Sequence, residues 1–300
     1  MTLHGIFSPT LTPLLPDLRV DIDRLIDHCR WLLGNGCHGL AVFGTTSEAN
    51  SFSVAERMDV LDGLVDAGID PALLLPGTGM CAIPDTVALT AHAVRLGASG
   101  VLMLPPFYYK GVSDDGLFAA YSEVIQRVGD RRLRVYLYHI PPIAQVGISL
   151  KLIERLVAAY PGTVVGIKDS SGDWANQQAV LESFPGFGVF TGSEKFLLEN
   201  LQRGGVGTIT AVANVIPDRL RAFHDGWRSM DAAAATAAQD QLNATRIAMQ
   251  GYPAIPALKE MLASMRRDPA WRTVRPPLTV LTVEQGIALI GGLDLGQIGA

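Results

Sequence analysis

Short apolar runs and helical patterns alternate along the first two-thirds of the chain. The runs cover residues 5–13, 39–44, 72–78, 100–105, 134–141, 163–168, 188–192 and 207–211. They lack the strict apolar–polar alternation of a sheet with one wet face. Mostly unbroken apolar runs fit strands buried on both faces, as in parallel sheets. Helical spacing fills the intervals. Residues 21–33 carry Ile22, Leu25, Ile26 and Cys29 at steps of three and four. Residues 54–67 follow Ser53, an N-cap type, with Glu56 in the first turn. Residues 84–96 begin with a proline where a helix tolerates one and end at Gly97. Further helices are predicted over 114–128, 150–160, 173–184 and 194–203.

Eight runs at about 30 residues per strand–helix unit predict an α/β fold, a closed (β/α)8 TIM barrel. A doubly wound open sheet needs a glycine-rich phosphate turn after its first strand. Here that strand ends in Pro9-Thr10-Leu11-Thr12-Pro13. Gly204-Gly205-Val206-Gly207 lacks the dinucleotide order and precedes a strand. Beyond residue 216 the strand pattern stops. Alanine-rich helical patterns over 231–250, 255–266 and 283–290 predict a C-terminal helical extension. No linker separates them, so 1–300 is read as one domain, with the barrel over 1–216 and the helices over 217–300.

Composition narrows the function. Apolar residues make up 48% and charged residues 18%, which excludes disorder. The net charge of −5 excludes a broad nucleic-acid footprint. The mean hydropathy of +0.25 requires a large core or buried subunit interfaces. No run of about 18 apolar residues suggests a membrane span. Met1-Thr2-Leu3-His4 has no secretion-signal character. Cys29, Cys37 and Cys81 are odd in number and lack CxxC spacing, so neither a disulfide framework nor a zinc site is expected. They are read as small buried hydrophobes in a reducing cytoplasm.

In parallel barrels chemistry sits at the C-terminal strand ends. Lys168 closes the apolar run Val164-Val165-Gly166-Ile167. A desolvated lysine there could attack a carbonyl and form a Schiff base. A salt bridge to Asp169 or an exposed strand end would account for it equally. Tyr138 ends the neighbouring strand, where a phenol could relay protons or simply fill the core. Thr45 and Thr46 occupy a turn suited to a carboxylate, or to helix capping with Ser47 and Glu48. Tyr108 and Tyr109 lie on a proline-stiffened loop and could serve packing or an interface. His139 could act as a base or only as a hydrogen-bond partner. No HExxH, paired Asp/His cluster or GxSxG occurs, so metal and serine hydrolysis lack support.

Together these strand ends resemble the dihydrodipicolinate synthase/N-acetylneuraminate lyase family. The resemblance rests on Gly44-Thr45-Thr46-Ser47-Glu48, Pro106-Phe107-Tyr108, Tyr138-His139-Ile140-Pro141 and Gly166-Ile167-Lys168-Asp169. Thr191-Gly192-Ser193, Gly207-Thr208-Ile209-Thr210 and residues 252–259 follow in order. It implies a class I aldolase acting on pyruvate or a 2-oxo acid, without cofactor or metal. Lys168 would form the Schiff base and Tyr138 would relay protons, positioned by Thr45. Thr46, with backbone groups near Gly192 and Ile209, would hold the carboxylate. Tyr108, or Tyr109 if the loop shifts by one, would complete the relay in a neighbouring subunit. A cytoplasmic homodimer or homotetramer follows. The partner is a small molecule, not nucleic acid or membrane.

The departures bear on subtype. Where dihydrodipicolinate synthases carry an arginine that binds the aldehyde substrate's carboxylate, this chain has Ile143, and His139 replaces the usual asparagine. An isoleucine cannot bind a carboxylate. An aldolase or dehydratase acting on 2-oxo-3-deoxy sugar acids or related 2-oxo acids is expected. The alternatives are a 4-hydroxy-tetrahydrodipicolinate synthase using aspartate semialdehyde, and a non-catalytic 2-oxo acid sensor.

Overall fold

The computed structural model describes residues 3–293. Met1, Thr2 and residues 294–300 of the expected extension lie outside the described residues. Seven strands are regular: β1 (Gly5–Ser8), β2 (Gly39–Leu40), β3 (Val101–Met103), β4 (Val135–His139), β5 (Val164–Asp169), β6 (Gly188–Thr191) and β7 (Gly207–Ile209). Their order is β2-β1-β7-β6-β5-β4-β3, and every pairing is parallel.

The gap between β2 and β3 is filled by residues 74–78, the later part of the expected strand 72–78. Leu40 bridges Leu74 and Gly77 bridges Leu102, both in parallel. Leu75 N–H donates to Leu40 O at 2.8 Å, and Leu102 N–H donates to Pro76 O at 2.9 Å. The ring therefore closes as a (β/α)8 barrel. This eighth position is not a regular strand for two reasons. Its first residues are drawn into a 3-10 turn, Pro71–Leu73, capped by Asp70. Pro76 has no N–H to contribute to a ladder.

Two apolar layers follow from the strand alternation. Phe7, Ala41, Leu75, Leu102, Tyr136, Phe190 and Ile209 fill the barrel interior. The opposite faces pack under the helices. Gly166 is required by this filling: a Cβ there would lie 2.5 Å from the Tyr136 ring. Cys29 and Cys37 are buried as expected, and burial pushes both thiols up to about 12. Cys81 is exposed, which corrects its expected burial.

Most expected helices are present within a residue or two. Residues 194–203 instead divide into a 3-10 turn, Glu194–Phe196, and a helix, Leu197–Gln202. Within the expected helical region 217–300, the helix Pro217–Gly226 was not individually located, because its sequence is largely polar and only Pro217, Leu220 and Phe223 are buried. It packs against β1. The extension continues through helices Ala232–Ala248, Ala254–Arg266 and Val283–Gly291. None of the described helices is long and apolar enough to cross a membrane.

Two fully buried carboxylates tie this extension to the barrel mouth. Glu48 pairs with Lys259, and neither side chain is exposed. Lys259 also donates to Thr273 O at 2.7 Å, and Arg275 N–H donates to the other Glu48 oxygen at 2.8 Å. Glu194 pairs with Arg246.

Candidate active site

The register places Tyr138 beside Lys168, and Lys168 beside Phe190. Tyr136 faces inward one layer below, so the two-residue period turns Tyr138 and Lys168 inward at the mouth. Lys168 is 4% exposed. Its Nζ lies 4.3 Å from the centre of the Tyr138 ring. Among the described residues, no carboxylate pairs with that ammonium. Asp169 points to the other side of the sheet, where it accepts from Ser171 N–H at 2.8 Å and Asn176 Nδ2 at 2.7 Å. Neither structural explanation of Lys168, a salt bridge to Asp169 or an exposed strand end, describes what is seen. A buried ammonium without a counter-ion is costly to stability. Such a group is characteristic of functional sites.

Tyr138 Oη lies 3.2 Å from Thr45 Oγ1, and either can donate. The turn carrying Thr45 is rigid. Ser47 Oγ donates to Thr10 O, and Thr12 Oγ1 donates to Ser47 O at 3.0 Å. Glu48, at φ 60°, closes the turn and is fixed by Lys259. Turn bonds engage the N–H groups of Ser47, Glu48 and Ala49. Those of Thr45 and Thr46 donate to nothing in the described chain and stand at the cavity wall. Adjacent free N–H groups of this kind suit an anion.

Gly192 and Ile209 line the same cavity. The Gly192 N–H donates to Asp169 O at 2.6 Å. What Gly192 contributes is space, because a Cβ there would lie 1.9 Å from Ser170 Oγ. Tyr108 and Tyr109 are not brought to Lys168 within one chain. They are 73% and 72% exposed, with their rings in edge contact. His139 is a hydrogen-bond partner: its Nδ1 accepts from Ile148 N–H at 2.9 Å. Burial holds its pKa below the ordinary histidine value, with nearby Asp169 opposing. Ile143 sits exposed at the rim, in the short helix Pro141–Ala144.

Arg246 also lines the cavity, and nothing in the sequence pattern singled it out. It comes from helix Ala232–Ala248 and is held by Glu194 and Thr210. Its cue would have been a charged residue facing the barrel from an otherwise bland alanine-rich helix. The whole cavity has a volume of about 550 Å³. A water molecule takes about 30 Å³ in the liquid, so six heavy atoms of pyruvate need less than about 180 Å³. More than half the space is left for a second reactant or a longer chain.

Among the described residues, His38, His224 and Asp225 have ligand atoms within 4.8 Å of one another. They lie at the opposite end of the barrel, beside Gly5. His38 Nδ1 accepts from Ile6 N–H at 3.0 Å, so its proton resides on Nε2. That nitrogen has no lone pair to give. Asp225 is also engaged by Arg221. The donor set does not suit a metal.

Comparison with known proteins shows the family to which the chain is similar. The model of the "Dihydrodipicolinate synthetase family" matches residues 2–289. A DapA-like lyase of Chloroflexus aurantiacus, described as uncharacterized, is 36% identical over 95% of this chain and 94% of its own. A 4-hydroxy-tetrahydrodipicolinate synthase of Methanococcoides burtonii is 29% identical over 98% of each chain. The crystal structure of dihydrodipicolinate synthase from Agrobacterium tumefaciens superposes with a TM-score of 0.89, at 34% identity, covering 97% of this chain and 99% of that one.

Proposed function

The chain belongs to the dihydrodipicolinate synthetase family and is a lyase of that family, and from that premise we propose how its cavity works. Lys168 attacks the 2-oxo carbon of pyruvate or a longer 2-oxo acid, expelling water and forming an iminium. The iminium draws electrons from the adjacent carbon. A C3–C4 bond can then break to release an aldehyde, or form in reverse. A 3-deoxy sugar acid can instead lose water. Tyr138 moves the proton through Thr45. The free N–H groups of Thr45 and Thr46 and the Thr46 hydroxyl hold the substrate carboxylate, with Gly192 and Ile209 forming the wall behind it. Tyr108 completes the relay from a neighbouring copy, in a cytoplasmic homodimer or homotetramer. That extension is supported by the exposure of Tyr108 and by its separation from the chain's own cavity.

The observation that carries this reading is the unpaired, buried Lys168 ammonium against the Tyr138 ring. Borohydride added with pyruvate is expected to leave a pyruvyl-derived mass on Lys168. An unmodified Lys168 in the peptide map would overturn it. The second reading, a 4-hydroxy-tetrahydrodipicolinate synthase, is favoured by the names of similar proteins. Ile143 at the rim argues against it. Efficient turnover of pyruvate with aspartate semialdehyde would establish that second reading.

A further inference from the structure

Arg246 lines the cavity with Glu194 paired to it, and the chemistry proposed above uses neither. Glu194 is fully buried, and Arg246 retains 36% of its side-chain exposure. The guanidinium presents Nε and Nη2 to the two Glu194 oxygens, the latter at 2.9 Å. Nη2 also reaches Thr210 Oγ1 at 3.2 Å. Gln239 fixes the base of the arrangement by donating to Glu194 O at 2.7 Å. The Nη1 group has no partner in the described chain, while the residue borders the cavity. The arginine is held by a fork, with two N–H donors to spare.

We propose that the Arg246 Nη1 edge is a second subsite, which reads a neutral hydroxyl on the distal end of the 2-oxo acid held at Lys168. This rests on the Schiff-base reading for the position of the other end. The preference for a hydroxyl over a carboxylate follows from charge. Glu194 already balances Arg246, so a carboxylate at Nη1 would make a second anion around one cation. A hydroxyl accepts from Nη1 without that repulsion. An apolar end would cover the Nη1 donors without pairing them, which costs affinity. The cavity volume accommodates a chain several atoms longer than pyruvate. The substrate class is thus a 2-oxo acid with a hydroxylated, uncharged tail.

The test uses three aldols that differ only at the distal carbon. They are 4,5-dihydroxy-2-oxopentanoate, 4-hydroxy-2-oxopentanoate and 4-hydroxy-2-oxoglutarate, ending in hydroxymethyl, methyl and carboxylate. Each retro-aldol cleaves C3–C4, passes the 4-hydroxyl proton to the enzyme, and yields pyruvate and one aldehyde. Native enzyme is expected to favour the hydroxymethyl acid in kcat/KM by about ten-fold or more. Arg246→Met together with Glu194→Gln, which avoids a bare buried carboxylate, should bring it to the level of the methyl acid. Glu194→Gln alone leaves Arg246 unbalanced and should raise the carboxylate acid about five-fold relative to the others. Unchanged ratios in both variants would overturn the subsite. Equilibrium binding of the same acids in a Lys168→Met background reads the preference without an imine. A native protein that fails borohydride trapping but keeps this preference would sink the Schiff-base reading and leave the subsite standing. Trapping with no preference would do the reverse.

Discussion

Lys168 and Lys259 are both buried, and they stand in opposite electrostatic circumstances. Lys259, with no exposure, has Glu48 and the Thr273 carbonyl around its ammonium. Burial holds its pKa below the ordinary lysine value, with the Glu48 charge opposing. Lys168 has an aromatic face and an open cavity, but no carboxylate. The first arrangement fastens helix Ala254–Arg266 to the turn that bears Thr45 and Thr46. The second leaves a nitrogen against an aromatic face at the cavity, with no carboxylate to hold it. Burial alone does not mark a catalytic lysine. Burial together with a missing counter-ion is what sets Lys168 apart and supports the role proposed for it.

The strongest way to break this contrast is to remove each ammonium in turn. Lys168→Met should lower turnover by at least about 10⁴-fold, as loss of a covalent nucleophile does. Its unfolding midpoint should stay equal or rise, because no partner is orphaned. A large loss of stability would mean that Lys168 is structural after all. Lys259→Met should do the opposite at the level of folding. Urea titration is expected to record a loss of about 3–5 kcal/mol, since Glu48 is left as a bare buried charge. Lys259→Met combined with Glu48→Gln should recover much of it. No recovery would place the loss in packing and not in charge.

A smaller effect separates the lysine from its neighbour. Tyr138→Phe keeps the ring against Lys168 but removes the proton carrier. Turnover should fall by about 10²–10³-fold while borohydride still traps pyruvate. Loss of trapping in parallel with turnover would show that the phenol organises binding instead. The smallest effect concerns a third buried base. His28 Nε2 donates to Asn214 Oδ1 at 3.1 Å, an oxygen that also accepts from Leu11 N–H. Burial, opposed by the Asn214 bond, brings His28 down to about 3. The unfolded chain therefore takes up the proton first. The stabilising contribution is complete above pH 6.5 and is lost as pH falls toward 3. At pH 5 the loss is about 2 kcal/mol. His28→Gln should flatten this part of the stability–pH curve, and a curve that keeps its slope would assign it to other groups.

Much of the barrel was legible because its signals are local. Apolar runs and caps within ten residues of one another located seven strands, and adjacency of the runs at 134–141 and 163–168 put Tyr138 next to Lys168. The eighth segment was legible as apolar but not as irregular, because Pro71 and Pro76 act through hydrogen bonds they cannot make. Helix Pro217–Gly226 was obscured by its polar composition, since one narrow face suffices against β1. The ion pairs were not legible at all. Glu194 meets Arg246 across 52 positions and Glu48 meets Lys259 across 211, and no pattern of spacing encodes such a meeting. Glu48 looked like a capping residue because its neighbours are Thr46 and Ser47.

The two clamps also have a consequence in time. A ribosome delivers Thr45, Tyr138 and Lys168 long before it delivers Arg246 and Lys259. Until residue 246 has emerged Glu194 lacks its cation, and until residue 259 has emerged Glu48 lacks its own, so neither can be taken out of water. A nascent barrel thus holds Lys168 near a hydrated, unfinished turn. On the proposed chemistry, competence would wait for helix Ala254–Arg266 to complete that turn.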